Sequence, residues 1–209
     1  MVDVERIAEG LWRWTGYHEE WKEDVGSVYC ETADGVVLID PLVPQDDRER
    51  FWNALDRDVE RVGGPVHVLV TVFWHTRSAA EMSERYEAQL WAPSSARAAV
   101  ARRAGDVTHA FRPGDRLPGA IEPFRTARRT EVVYWIPHHR TLVPGDVLIG
   151  DGRGAAMCPE SWLPDATGHV ELAASLRPLL ELPVERILLS HGDPVLEDAP
   201  EALRKALAA

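Results

Sequence analysis

The chain reads as an α/β protein (α+β in the way its strands and helices segregate). The expected architecture is a four-layer αβ/βα sandwich of two mixed β-sheets flanked by helices. Three observations predict it. Two successive stretches each open on short strands separated by turn residues and close on alternating helix and strand. The strand Val66 to Val72 is apolar almost throughout, as befits a strand covered on both faces. No linker, composition break or internal repeat interrupts the 209 residues, so one domain spanning 1–209 is expected.

Leu11 to Thr15 is the first strand, followed by a polar loop, Gly16 to Gly26, that contains His18 and Trp21. Ser27 to Thr32 and Gly35 to Asp40 form a hairpin around Ala33-Asp34-Gly35. Asp46 and Asp47 can cap a helix with Phe51, Leu55, Val59 and Val62 on one face, ended by Gly63-Gly64. After the apolar strand, Ser78-Ala-Ala-Glu81 has the pattern of a capping box for a helix reaching about Tyr86. Gln89 to Ala92 is a short strand, and Ser94-Ser95 starts a helix ending at Gly105. Phe111 to Ile149 breaks into short strands with turns between them. A late helix carries Leu172, Leu176, Leu179 and Leu180, and strand Arg186 to Ser190 and a C-terminal helix from about Pro200 complete the chain.

Composition narrows the function classes. Hydrophobic residues at 45% and charged residues at 27% are a globular balance. A formal charge of −11 disfavours nucleic acid and anionic membrane surfaces as partners. Cys30 and Cys158 are too few and too far apart for a cysteine zinc cluster or a disulfide framework. The start has acidic residues where a signal peptide has basic ones, and no segment approaches about 20 apolar residues, so a soluble, cytoplasmic protein is expected. Among eight tryptophans, Trp21 and Trp162 stand out because they lie in apparent loops, where large rings often line binding sites.

Three stretches pair a strand with a polar residue at its end: Gly35-Val-Val-Leu-Ile-Asp-Pro41, Thr141-Leu-Val-Pro-Gly-Asp-Val-Leu-Ile-Gly-Asp151 and Arg186-Ile-Leu-Leu-Ser-His-Gly-Asp-Pro-Val195. In order and spacing they resemble segments of the metallo-β-lactamase superfamily, and the resemblance extends over nearly the whole chain. It implies a metal-dependent hydrolase fold in which Asp146 and His191 occupy metal-ligand positions and Asp40 supports the site loop. The family's Thr-His-x-His-x-Asp-His-x-Gly-Gly loop corresponds to Val68-Leu-Val-Thr-Val-Phe-Trp-His-Thr-Arg-Ser-Ala-Ala80. Its four ligand positions then fall on Val72, Trp74, Thr76 and Arg77, and the remaining histidine position falls on Ala127.

Val and Trp do not coordinate a metal, and Arg is a permanent cation. The resemblance therefore implies a degenerate centre in which only Asp146 and His191 of seven ligand positions survive. The expected cofactor is none, with zinc as the alternative on a rebuilt site of His75, Asp146 and His191. Catalytic zinc normally takes three protein ligands and a water. Arg77 is expected to fill the vacated cation position and pair with Asp146. His191 is a candidate acid or base, because imidazole titrates near neutrality. Trp74 either walls a pocket or plugs the metal cavity, Trp21 is placed as part of a lid, and Cys158, in the loop 152–168, is a candidate pocket residue. His138-His139 and the cluster Arg125, Arg128 and Arg129 read as solvated turns.

Three functions stay open: a metal-free protein that binds a small organic molecule or is catalytically silent, an unconventional hydrolase of an ester, thioester or lactone, and a non-enzymatic interaction protein, with a homodimer possible. Fold alone does not choose among them.

Overall fold

The hairpin around Ala33 and Asp34 lies in the middle of a seven-stranded sheet. Its strands are β1 (Asp3–Ala8), β2 (Leu11–His18), β3 (Glu23–Thr32), β4 (Gly35–Ile39), β5 (Val66–Leu69), β6 (Gln89–Pro93) and β7 (His109–Phe111), side by side in chain order. The first four are antiparallel, and β4 to β7 are parallel. Parallel neighbours need crossovers, which α1 (Arg48–Val62) and α2 (Ala79–Tyr86) supply, with α3 (Arg97–Ala104) following β6. Alternation along the strands sends Val36, Leu38, Val66, Val68, Leu90 and Ala92 into one core with Leu55 of α1, Met82 of α2 and Val100 of α3. The computed structural model describes residues 3–164 and 167–208. Its contacts divide the chain into two units, Met1–Phe111 and Arg112–Ala209.

In the second unit a four-stranded sheet runs in the order β13, β10, β9, β8, built from β8 (Glu122–Arg125), β9 (Val132–Ile136), β10 (Thr141–Val143) and β13 (Arg186–Ile187). A separate two-stranded ribbon pairs β11 (Leu148–Gly150) with β12 (Ala155–Met157). Helices α4 (His169–Leu176) and α5 (Ala199–Ala206) give Leu172, Leu176, Leu203 and Ala206 to a core shared with Val133, Trp135, Leu142 and Ile187. Among the described residues, no helix is long and apolar enough to cross a membrane.

Several local expectations are corrected. The segment 16–26 is mainly strand, because β2 and β3 stay paired from Leu11↔Cys30 out to His18↔Glu23, leaving a turn only at 19–22. Ser78 precedes α2 without capping it; its hydroxyl accepts from the Val43 amide instead, and Glu81 pairs with Arg48. The strand expected over 186–190 is two residues long, and the loop 152–168 contains β12. Pro178 cannot continue α4, so the chain passes into a 3₁₀ turn that leaves Leu180 exposed. β1, rich in charged side chains, gave no apolar signal and is an exposed edge strand.

Candidate functional site

In the first unit, Asp40 follows the buried strand β4 with φ at 50°, a left-handed conformation, and only 2% of its surface is exposed. A carboxylate buried this far needs donors, and it has three. The Thr71 amide donates to Oδ1 at 2.8 Å, the Thr71 hydroxyl to Oδ2 at 2.5 Å, and His75 Nδ1 meets Oδ2 at 2.9 Å. His75 lies on the 3₁₀ turn Phe73–Thr76 and is fully buried. An ionised carboxylate only accepts, so Nδ1 carries a ring hydrogen, and in the neutral tautomer this leaves the lone pair on Nε2.

Arg77, directly after that turn, has φ 37° and ψ −111°, outside the regions L-residues favour. Its Nη1 donates to the carbonyls of Gly26 at 2.8 Å and Asp40 at 2.9 Å. The guanidinium carbon lies 5.6 Å from the centroid of the Trp21 ring. Trp21, in the tight turn after β2, stacks on His18 at 4.0 Å and lies 5.6 Å from the ring of His75. Burial, and then the charge of Arg77, lower the pKa of His18 below its ordinary value. Asp40, His75, Arg77 and Trp21 are thus brought together with His18 and Thr71. Trp74 is half-buried and packs edge-on against Phe73 at 4.7 Å.

In the second unit, Asp146 follows β10 and the turn at Gly145, and is 5% exposed. Its loop is fastened by Glu131, whose Oε1 accepts from the amides of Asp146 at 2.6 Å and Val147 at 3.1 Å. Glu131 Oε2 pairs with Arg128 Nη1, and Arg128 Nη2 donates to the Trp162 carbonyl at 2.6 Å. His191 lies in the loop enclosed by the Ile187↔Val195 bridge, with Nε2 3.1 Å from Asp146 Oδ1. The next residue must be glycine: at Gly192, φ is 86° and a Cβ would come within 2.9 Å of Gly150 Cα. Cys158 is wholly buried, and burial pushes its thiol up to about 11, so it is protonated at neutral pH and is a poor nucleophile.

Solved structures match this chain over its whole length. A metallo-β-lactamase from Pontibacter korlensis is 15% identical, with 100% of this chain and 99% of that one covered and a TM-score of 0.73. Metallo-β-lactamase IND-7 is also 15% identical, covering 100% and 98% with a TM-score of 0.71. FIM-1 from Pseudomonas aeruginosa, solved in a mono-zinc form, is 12% identical over 99% and 95% with a TM-score of 0.70. The chain has the metallo-β-lactamase fold. No protein-family model matches it, and no curated protein does.

Of the four loop positions that the resemblance aligned with ligands, two are buried: Val72 fully, and Thr76 with 5% exposed. His75, a spacer position by that resemblance, is aimed at Asp40 together with Thr71. Sequence reasoning missed Thr71, Glu131 and Arg128. Arg128 was read as part of a solvated turn, yet it is 4% exposed and ion-paired, whereas Arg125 and Arg129 are exposed. The only signal for it was Glu131 three residues on, a spacing that loops and helices share. His139, also read as solvated, is buried, and burial lowers its pKa.

Proposed function

We propose that this protein is a hydrolase of small acyl compounds (an ester, thioester or lactone) that holds one metal ion, zinc by preference, on His75, Asp146 and His191. These three are the rebuilt ligand set that the sequence offers in place of the substituted positions. One observation carries the reading: Asp40 and Thr71 grip His75 at Nδ1, which assigns Nε2 as its donor atom. A carboxylate behind the second ring nitrogen is the arrangement that orients a metal-binding imidazole and raises its basicity. Two imidazoles and one carboxylate are a donor set that suits zinc and leaves a fourth position for water. The acyl substrate class rests on the fold.

When bound, the metal would supply Lewis-acid polarisation of an acyl oxygen and a water of lowered pKa. The chain's own residues hold the rest. Asp40 keeps the proton of His75 on Nδ1. Glu131 fixes the backbone that presents Asp146. The hairpin turn brings Trp21 beside His75, and the Arg77 cation lies against the Trp21 ring, where the two can exclude water and attract a substrate carboxylate.

A second reading is favoured by Arg77. A guanidinium anchored beside His75 opposes a divalent cation and supports a metal-free protein that binds a small organic anion. Metal analysis after purification without chelator or nickel tag separates the two. One equivalent of zinc per chain, lost in both His75→Ala and His191→Ala, is expected. A chain that takes up no metal at saturating zinc sinks the hydrolase reading and leaves the metal-free one.

A further inference from the structure

We propose that Trp162 is a specificity-determining residue that forms a wall beside His191 and selects ligands carrying a planar aryl group. The proposal rests on the reading that the His191–Asp146 pair belongs to the functional centre. Trp162 is 44% exposed, although its ring lies 5.9 Å from that of His191 with the planes at 68°. Large apolar rings left in water beside a nearly buried polar pair are a recurrent property of ligand sites.

The ring is exposed on a backbone that is tied down. Trp162 ends the 3₁₀ turn Glu160–Trp162, and its carbonyl accepts from Arg128 Nη2. Glu160 Oε1 accepts from the His169 amide at 3.0 Å, and His169 Nε2 lies 2.8 Å from the Cys158 carbonyl. Arg128 is held in turn by Glu131, the same carboxylate that fastens the amides of Asp146 and Val147. One buried ion pair therefore sets both the turn bearing Trp162 and the loop bearing Asp146. Such pairs seldom add much stability over an apolar core, and fixing a geometry is their better attested use. An indole held edge-on to the imidazole offers a flat apolar surface, and the partner that fits such a surface is another flat apolar group.

The test compares two carboxylates of similar size, 2-naphthoate and decahydro-2-naphthoate, by calorimetric titration of the full chain with its metal content measured on the same samples. The wild-type chain is expected to prefer 2-naphthoate by roughly five- to tenfold, the scale of one aromatic contact. Trp162→Ala should abolish the preference, and Trp162→Phe should keep most of it. Because the ring is exposed, neither variant threatens folding. Equal affinities in the wild type, no measurable binding of either probe, or a ratio unchanged in Trp162→Ala overturns the proposal. A chain without metal that keeps the preference overturns the one-metal reading and leaves the wall standing.

Discussion

Each unit presents a buried histidine against an aspartate, and the two pairs differ in which ring nitrogen is engaged. In the first unit Asp40 takes Nδ1 of His75 and is saturated by Thr71, so the carboxylate acts from behind the ring. In the second, Asp146 lies alongside Nε2 of His191, and its own position is set from the backbone by Glu131. An aspartate behind the ring orients; an aspartate beside the outward nitrogen shares that nitrogen's task. The comparison teaches that similar Asp–His distances can engage opposite ring nitrogens, Nδ1 in one place and Nε2 in the other. The supports differ as well: a neutral hydroxyl and an amide for Asp40, a buried ion pair for the loop of Asp146.

The largest expected effect tests that last difference. Glu131→Gln removes the charge beside Arg128 and should destabilise the chain by about 3–5 kcal/mol, a fall in melting temperature on the order of 10 °C. A loss under about 1 kcal/mol in thermal unfolding would show that the pair is not what holds the Asp146 loop.

Next comes the contrast between the carboxylates. Asp146→Asn should abolish stoichiometric zinc binding, whereas Asp40→Asn should weaken it by roughly 10- to 100-fold, as expected of an orienting partner. Zinc titration reads both, and equal losses would erase the distinction between orienter and ligand.

A smaller effect involves pH and both units. Burial lowers the pKa of His18 and His67 in the first unit and of His139 in the second. Below about pH 6.5 the unfolded chain takes up protons on these histidines before the folded chain does, so stability must fall as pH drops from there towards the folded values. Chemical denaturation between pH 8 and pH 5 should show the decline; a flat profile would mean that the three rings are not held neutral by the fold.

The smallest effect is a control for the buried pair. Arg85 meets Asp56 on the surface of the first unit, with both side chains more than a third exposed. Arg85→Ala should cost less than about 1 kcal/mol. A penalty as large as that of Glu131→Gln would show that burial is not what separates the two ion pairs.

Much of the fold was legible because strands and helices write their periods into the chain. The Gly63-Gly64 stop and the Ala33-Asp34 turn became the elements expected, and the strand expected over Val66 to Val72 formed but ended at Leu69. The misses follow from interactions that carry no local period. Backbone pairing extended β2 and β3 through polar residues, and the Ser78 hydroxyl served Val43, 35 positions away, instead of its own helix. At the site, Asp40, Asp146 and His191 could be singled out because the three segments that carry them resemble those of a known superfamily. His75 could not be resolved from its position in the loop, since its orientation depends on a carboxylate 35 residues earlier.

By itself the sequence determined the α/β character and the order of most helices and strands, because these follow from residue type and spacing. Only the tertiary structure decided that His75 is clamped at Nδ1, that Arg128 is buried against Glu131 and that Trp162 stands over His191. The reason is physical: a buried polar group takes its state from partners that the fold brings to it, and those partners are distant in the chain.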